Sequence, residues 1–357
     1  MVLSTWKQRR VLLTGHTGFK GGWLGLWLKR LGAEVTGYAL EPPEPPAFFH
    51  AAGVAGALRS VIGDVRDRAA LAAALEVAQP EVVFHLAAQP LVRAGYRQPV
   101  ETYATNVMGT VHLLDAVRQT PSVRAVLVVT TDKCYEDRGW VWPYRERDRL
   151  GGHDPYASSK TCAELASATW RACFLAPRVR VATARAGNVI GGGDFAQDRL
   201  IPDLIRGARD GQPVAIRAPS AIRPWQHVLE PLAGYLLLAD RLLAEDGEDF
   251  AEAWNFGPPT ADARSVSWLV TEMARRFEGL AWWHDDRGDA PHETEVLKLD
   301  AVKAASRLGW QPRLSLDTAL DWLADWYRAE ASGADVAALT WAQITRYEAA
   351  RRAAGAS

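Results

Sequence analysis

Tyr156 and Lys160 stand four residues apart in Tyr156-Ala157-Ser158-Ser159-Lys160, a spacing that puts a phenol and an ammonium on one face of a helix. None of the other eight tyrosines has a lysine four residues later. An adjacent cation favours phenolate, so the pair predicts a tyrosine whose pKa is drawn down from about 10 toward working pH. Such a group can take the proton of an alcohol as hydride leaves the same carbon. Upstream, the apolar run Val126-Leu127-Val128-Val129 ends in Thr130-Thr131-Asp132-Lys133. A buried strand ending this way delivers a hydroxyl, an acid and an amine to the C-terminal edge of a parallel sheet, where ligands bind. Thr131 is placed to orient a substrate hydroxyl, Asp132 to donate a proton and Lys133 to accept one. Only 7 of the 41 Lys plus Arg are lysine, so Lys133 and Lys160 are informative. The plain alternatives are a surface Tyr/Lys helix pair and a solvated Asp-Lys turn.

A second constellation binds rather than reacts. Thr14-Gly15-His16-Thr17-Gly18-Phe19-Lys20-Gly21 follows an apolar run and opens a helical pattern. In that context the backbone N–H groups and the helix N-terminus face outward to receive a pyrophosphate. Gly15 makes the turn, Gly18 permits close approach and Gly21 lets the helix pack on the strand. Asp64 and Val65 follow the third apolar run, where Asp64 can accept from an adenine amino group. Leu86, Ala87 and Ala88 follow the fourth, where small residues let a cofactor cross the sheet edge. The acid that NAD sites place at the end of the second strand is displaced: Tyr38-Ala39-Leu40 stands there, with Glu41 the nearest. No arginine stands nearby to hold a 2′-phosphate, which leaves NAD as the expected cofactor.

These residues need a scaffold of alternating strands and helices. Apolar runs at 10–14, 34–39, 59–62, 82–85, 125–130 and 180–185 read as strands. Patterns over 22–31, 68–79, 105–120 and 156–173 read as helices. The alternation predicts an α/β fold with a Rossmann-type, doubly wound parallel sheet. After about residue 186 the texture turns to Gly- and Pro-punctuated loops with apolar helices at 202–209 and 230–243. The expected division is a dinucleotide-binding domain over 1–185, with 227–255 returning to it. A smaller mixed α/β substrate domain covers mainly 186–330, and 331–357 form a helical tail. No internal repeat is present.

The 357 residues carry 41 Lys plus Arg against 42 Asp plus Glu. Such neutrality provides no long-range field for a nucleic-acid backbone or an anionic membrane, and neither partner is expected. Cys134, Cys162 and Cys173 are odd in number and lack metal or redox spacing, which fits a reducing cytoplasm and predicts no bound metal. The apolar stretch after Arg9-Arg10 is too short for a signal peptide.

The motifs taken together resemble the extended short-chain dehydrogenase/reductases, from Arg10 to about Tyr327. Within them, Thr131-Asp132-Lys133-Cys134-Tyr135, Asp154-Pro155-Tyr156-Ala157-Ser158-Ser159-Lys160 and Arg185-Ala186-Gly187-Asn188-Val189-Ile190-Gly191-Gly192-Gly193-Asp194 resemble the CDP-glucose 4,6-dehydratases. The dTDP-glucose dehydratases typically carry Glu where this chain has Lys133. The resemblance implies an enzyme using NAD on CDP-glucose, with Thr131, Asp132, Lys133, Tyr156 and Lys160 at the reacting centre. It also implies at least a homodimer, or a homotetramer, packed through helices of the first domain.

From Arg178 to Arg223 stand eight Arg, no Lys and four Asp, a segment suited to a diphosphate. Arg223 and Arg199 resemble the family's phosphate and substrate-loop arginines, with Asn188 near the diphosphate. Arg217 is left open, while Arg178, Arg206 and Arg209 read as surface solvation. Gln89 is expected to touch the hexose and His292 the substrate. Asn106 resembles a residue that pins the neighbouring strand, and Trp140 and Trp142 are candidates for an active-site wall. Trp310, Trp322 and Trp326 read as packing. The competing functions are a sugar-nucleotide 4-epimerase, a dTDP- or GDP-sugar dehydratase and a non-catalytic NAD sensor.

Overall fold

The computed structural model describes residues 6–286 and 294–354. Arg10–Thr14 (β1), Glu34–Ala39 (β2), Arg59–Ile62 (β3), Val82–His85 (β4), Ala125–Val129 (β5) and Arg180–Ala186 (β6) form where the apolar runs predict them. All pair in parallel, in the order β6-β5-β4-β1-β2-β3. Every residue of β4 and β5 is buried, as strands covered by helices on both faces require. A seventh strand, Ala253–Phe256, pairs in parallel with β6 and completes the edge. The sequence reading named six strands. The seventh, Ala-Trp-Asn-Phe, has its apolar run broken by Asn255 and lies among the loops beyond the βα alternation. It follows the helix Leu229–Leu243, so the chain leaves the sheet after β6 and comes back to it.

The helices differ from expectation mainly at their starts. The first, Phe19–Arg30, begins directly after Gly18, earlier than the apolar pattern indicates. The helix expected at 105–120 begins at Pro99, a residue suited to a first turn because no partner is needed for its missing N–H. It passes through a widened π turn at Ala104–Met108 before Gly109–Gln119. Pro155–Trp170 is capped by the Asp154 side chain, which accepts from the Ala157 amide at 2.9 Å.

Beyond β6 the chain forms two-stranded pieces: Val189–Ile190 with Gln226–His227, Ile222–Pro224 with Ala263–Ser265, and Val214–Ile216 with Trp282–His284. Leu316–Ala331 and Val336–Ala354 close the chain. The last helix docks on the first through Glu348, which accepts from Trp27 Nε1 at 2.9 Å and Arg30 Nε at 3.1 Å. Trp310, Trp322 and Trp326 are packing residues, at most 4% exposed.

Candidate active site

A cleft of about 840 Å³ runs along the C-terminal ends of the strands and gathers the glycine loop, the Thr131-Asp132-Lys133 turn, Tyr156, Lys160, Asn188, Arg199 and Arg223. Asp64, Val65, Leu86, Ala87 and Ala88 line its other end. Thr14 organises that end. Its hydroxyl oxygen accepts from the Leu86 and Ala87 amides at 3.1 Å each and stands 2.8 Å from His85 Nδ1. The two amides fill the acceptor side, so the Thr14 hydroxyl donates to a neutral His85.

Gly15 has φ +78°, and a Cβ there would come within 2.8 Å of the Ala87 nitrogen. At Gly18 a Cβ would meet only the Gly15 carbonyl, at 3.5 Å, leaving room for a ligand to approach the backbone. Gly21 serves a different purpose from the one expected. Its Cβ would strike the Gly15 carbonyl oxygen, so the helix packs on the turn itself rather than on the strand. Thr17, Phe19 and Lys20 face the cleft beside them. Among the described residues the Lys20 ammonium has no anionic partner, only the Tyr235 ring 5.8 Å away. Burial, then Arg199 and Lys160, lower its pKa to about 7, with Asp132 pulling the other way. Asp64 is braced by Arg66, whose Nε donates to its carboxylate at 2.8 Å and holds its pKa down.

At the reacting end Thr131, Asp132, Tyr156 and Lys160 are all buried. Thr131 Oγ1 donates to Asp132 Oδ1 at 3.1 Å and is hydrogen-bonded to Tyr156. Among the described residues Asp132 Oδ2 has no hydrogen-bond partner. Burial raises the Asp132 pKa, against Lys133, Thr131 and Arg223, which suits a proton donor. Lys133 is half-buried at the cleft wall.

The Tyr156–Lys160 expectation needs correction. Burial pushes the phenol up to about 12, opposed by Thr131 and then by Arg199, which is the cation acting on it. Lys160 instead donates to the Val129 carbonyl at 2.9 Å, and burial lowers its own pKa to about 8.

On the substrate side, Arg223 donates to the Thr294 carbonyl at 2.7 Å and Arg199 pairs with Asp194 at 2.8 Å. Gln89 does not reach the cleft. Its Nε2 donates to the Leu91 carbonyl and Thr102, and its Oε1 accepts from the Leu91 amide, so both of its donors are committed away from a hexose. Asn106 ties the backbone of Gln89 to Ser159 and thereby the loop after β4 to the Tyr156 helix. Trp140 packs on Tyr144 and Trp142, and neither indole lines the cleft; Asp137 and Tyr144 take that place. Arg178, Arg206 and Arg209 are not simply solvated. Arg178 caps the carbonyls of Val117, Arg118 and Thr120, Arg206 holds Phe195 and Ala196, and Arg209 pairs with Glu330. His292 lies outside the described residues. Arg93 went unnoticed in sequence; it faces the cleft and pairs with Asp198 at 2.8 Å.

Residues 11–253 match the NAD dependent epimerase/dehydratase family. The chain belongs to that family. The chain is similar to a CDP-glucose 4,6-dehydratase of Salmonella typhimurium, 49% identical over 97% of this chain and 98% of that one. A probable dTDP-glucose 4,6-dehydratase of Sinorhizobium fredii is 27% identical over 89% and 92%. Among solved structures, MoeE5 in complex with UDP-glucose and NAD has a TM-score of 0.75 at 28% identity, covering 90% of this chain and 99% of that one. The UDP-glucose 4-epimerase of Thermotoga maritima, TM-score 0.76 at 21% identity over the same shares, has the same fold.

The residues of this epimerase/dehydratase family member fit NAD. A side-chain-free approach at Gly18, the first turn of Phe19–Arg30 and the unpaired Lys20 ammonium offer an anion site. Among the described residues no His, Cys, Asp or Glu cluster could hold a metal, and no helix is long and apolar enough to cross a membrane.

Proposed function

We propose that the chain dehydrates CDP-D-glucose to CDP-4-keto-6-deoxy-D-glucose, with NAD retained through the cycle. The observation that carries this reading is the Asp132-Lys133 pair facing the same cleft as Tyr156. A 4-epimerase needs no acid and amine beyond the oxidising tyrosine. The relative at 49% identity over nearly the whole chain supports the cytidine nucleotide.

Bound NAD supplies a hydride acceptor at C4 and a hydride donor at C6. Tyr156 takes the C4 hydroxyl proton, with Thr131 orienting that hydroxyl and Lys160 one helical turn away. The C4 ketone makes the C5 proton acidic, because the resulting carbanion delocalises into it. Lys133, or a water it positions, takes the C5 proton while protonated Asp132 gives its proton to the departing C6 hydroxyl, released as water. A proton returned to C5 completes the cycle with no net redox. Arg223, Arg199 and Asn188 hold the diphosphate. Gly15, Thr17, Gly18, Phe19, Lys20, Gly21, Asp64, Val65 and Leu86-Ala87-Ala88 hold the dinucleotide.

We further assign the first 185 residues with the return over 227–255 to the dinucleotide half, 186–330 mainly to the sugar nucleotide, and 331–357 to the tail. The assembly is a homodimer or homotetramer in the cytoplasm. Val100, Tyr103 and Met108 on one helix and Leu165 and Phe174 on and beyond the next are exposed apolar side chains suited to a copy of the same face.

The deciding experiment incubates the chain with CDP-glucose and NAD and follows product mass. Loss of one water is expected; an isomer of unchanged mass would replace the reading with epimerisation. Parallel dTDP-, UDP- and GDP-glucose reactions test the base.

A further inference from the structure

Behind the cleft, one carboxylate is saturated by groups from two neighbouring strands, Thr130 just past β5 and Thr183 and Arg185 on β6. Glu164, one helical turn beyond Lys160, accepts from Thr130 Oγ1 at 2.5 Å and Thr183 Oγ1 at 2.7 Å. It also accepts from Arg185 Nε at 3.0 Å and Nη2 at 2.9 Å. Both side chains of this ion pair are 3% exposed. Arg185 reaches onward: Nη1 donates to the Tyr135 phenol at 2.8 Å and the Glu146 carbonyl at 3.1 Å, with the guanidinium 5.0 Å from the Tyr135 ring centroid. Tyr135 in turn donates to Asn255 Oδ1 at 2.7 Å. Thr130 and Tyr135 bracket Thr131-Asp132-Lys133-Cys134. A single buried pair therefore grips both ends of the turn that carries the acid and the amine, and it does so from the helix that carries Tyr156 and Lys160.

We propose that Glu164 and Arg185 are positioning residues that hold Asp132 and Lys133 in register with Tyr156, so that oxidation at C4 and loss of water act on one sugar without release between them. The proposal rests on the dehydratase reading above. Stability alone is a poor reason for such a pair, since desolvating two charges offsets their attraction and apolar replacements are often as stable. What the pair supplies is direction. A planar guanidinium bonded through two nitrogens to one carboxylate fixes angle as well as distance, and a misplacement of about 1 Å in a reacting group can cost about 10²-fold in rate.

The test uses the full chain with CDP-glucose and NAD. Tyr135→Phe and Thr130→Val each remove one hydroxyl at one end of the turn and leave the ion pair intact; Glu164→Gln removes the centre. Product mass, kcat, KM and the absorbance of reduced nicotinamide are measured together. All three variants are expected to oxidise C4, to keep KM within about threefold and to lose about tenfold or more in dehydration kcat. They are expected to release a 4-keto sugar nucleotide two hydrogens lighter than substrate. One hydride has then stayed on the cofactor and one proton has left through Tyr156, so released ketone and reduced nicotinamide match one to one. Variants that melt lower but keep wild-type kcat and release no such ketone would overturn the proposal and leave a purely structural pair. If Glu164→Gln fails to fold, the two hydroxyl variants decide. If the unaltered chain removes no water from any nucleotide sugar, the functional reading fails and takes this proposal with it; dehydration by all forms alike sinks the proposal alone.

Discussion

Lys160 and Tyr156 are neighbours on a helix face, yet burial acts on them in opposite directions, lowering the amine to about 8 and raising the phenol to about 12. Lys160 therefore loses its proton near pH 8, while Tyr156 keeps its own until about 12. On the proposed mechanism, neutral Lys160 is the base expected to draw off, through Tyr156, the proton of the C4 hydroxyl. C4 oxidation, followed as bound reduced nicotinamide in a single turnover, is expected to rise with pH and level off above about 8. Lys160→Met should slow it by about 10²- to 10⁴-fold and leave a rate still climbing at the highest pH measured. Coincident profiles for the two forms would refute the coupling. Asp132→Asn is expected to reduce the cofactor yet form no dehydrated product, and full dehydratase turnover in that variant would remove its role as proton donor. Spacing alone revealed which residues meet here. It could not reveal that Arg199, from a distant loop, is the cation acting on Tyr156, nor that Lys160 is committed to the Val129 carbonyl, because both depend on burial and long-range approach.

At the scale of elements, the glycine loop separates two kinds of small residue. Gly21→Ala drives a Cβ into backbone and should cost about 1–3 kcal/mol in stability along with NAD binding. Gly18→Ala meets only ordinary contact, so its melting temperature should stay near that of the unaltered chain while NAD affinity falls. Calorimetry and NAD titration on the two variants check this; equal destabilisation would show that both glycines serve the fold. The βα alternation was legible because buried parallel strands read as apolar runs, and six of the seven were found that way. The seventh strand and the π turn holding Asn106 were not, the one because Asn255 breaks its apolar run and the other because a widened turn leaves no periodic trace. Gln89 misled for a related reason: its position after β4 suited a ligand contact, but its side chain is spent on its own loop.

Across the whole molecule, His16, His85 and His227 are buried neutral, with pKa values lowered by burial to about 4, 3 and 3. Each is depressed below its unfolded value of about 6.5, so each favours the fold above that pH and loses the contribution as pH falls toward the folded value. At pH 5 this amounts to about 2 kcal/mol per imidazole. Denaturant unfolding at pH 7.5 and 5 should show the loss, and His227→Gln should recover about 2 kcal/mol of the difference; an unchanged pH dependence would show that the imidazole is already protonated or accessible. Leu165→Arg should shift the assembly toward monomer in sedimentation, and an unchanged assembly would place the contact between copies elsewhere.

The return of the chain to β6 also orders events in time. Ala253–Phe256 pairs with residues of β6 that leave the ribosome long before it. Everything between them, including Asn188, Arg199 and Arg223, is synthesised while the sheet still has a bare edge. Domains fold as units as they emerge, and unpaired edges invite the wrong partner. In a growing chain β6 is therefore the strand most in need of a chaperone's cover, and a ribosome paused before Phe256 would display an unfinished sheet with Arg199 and Arg223 already in the open.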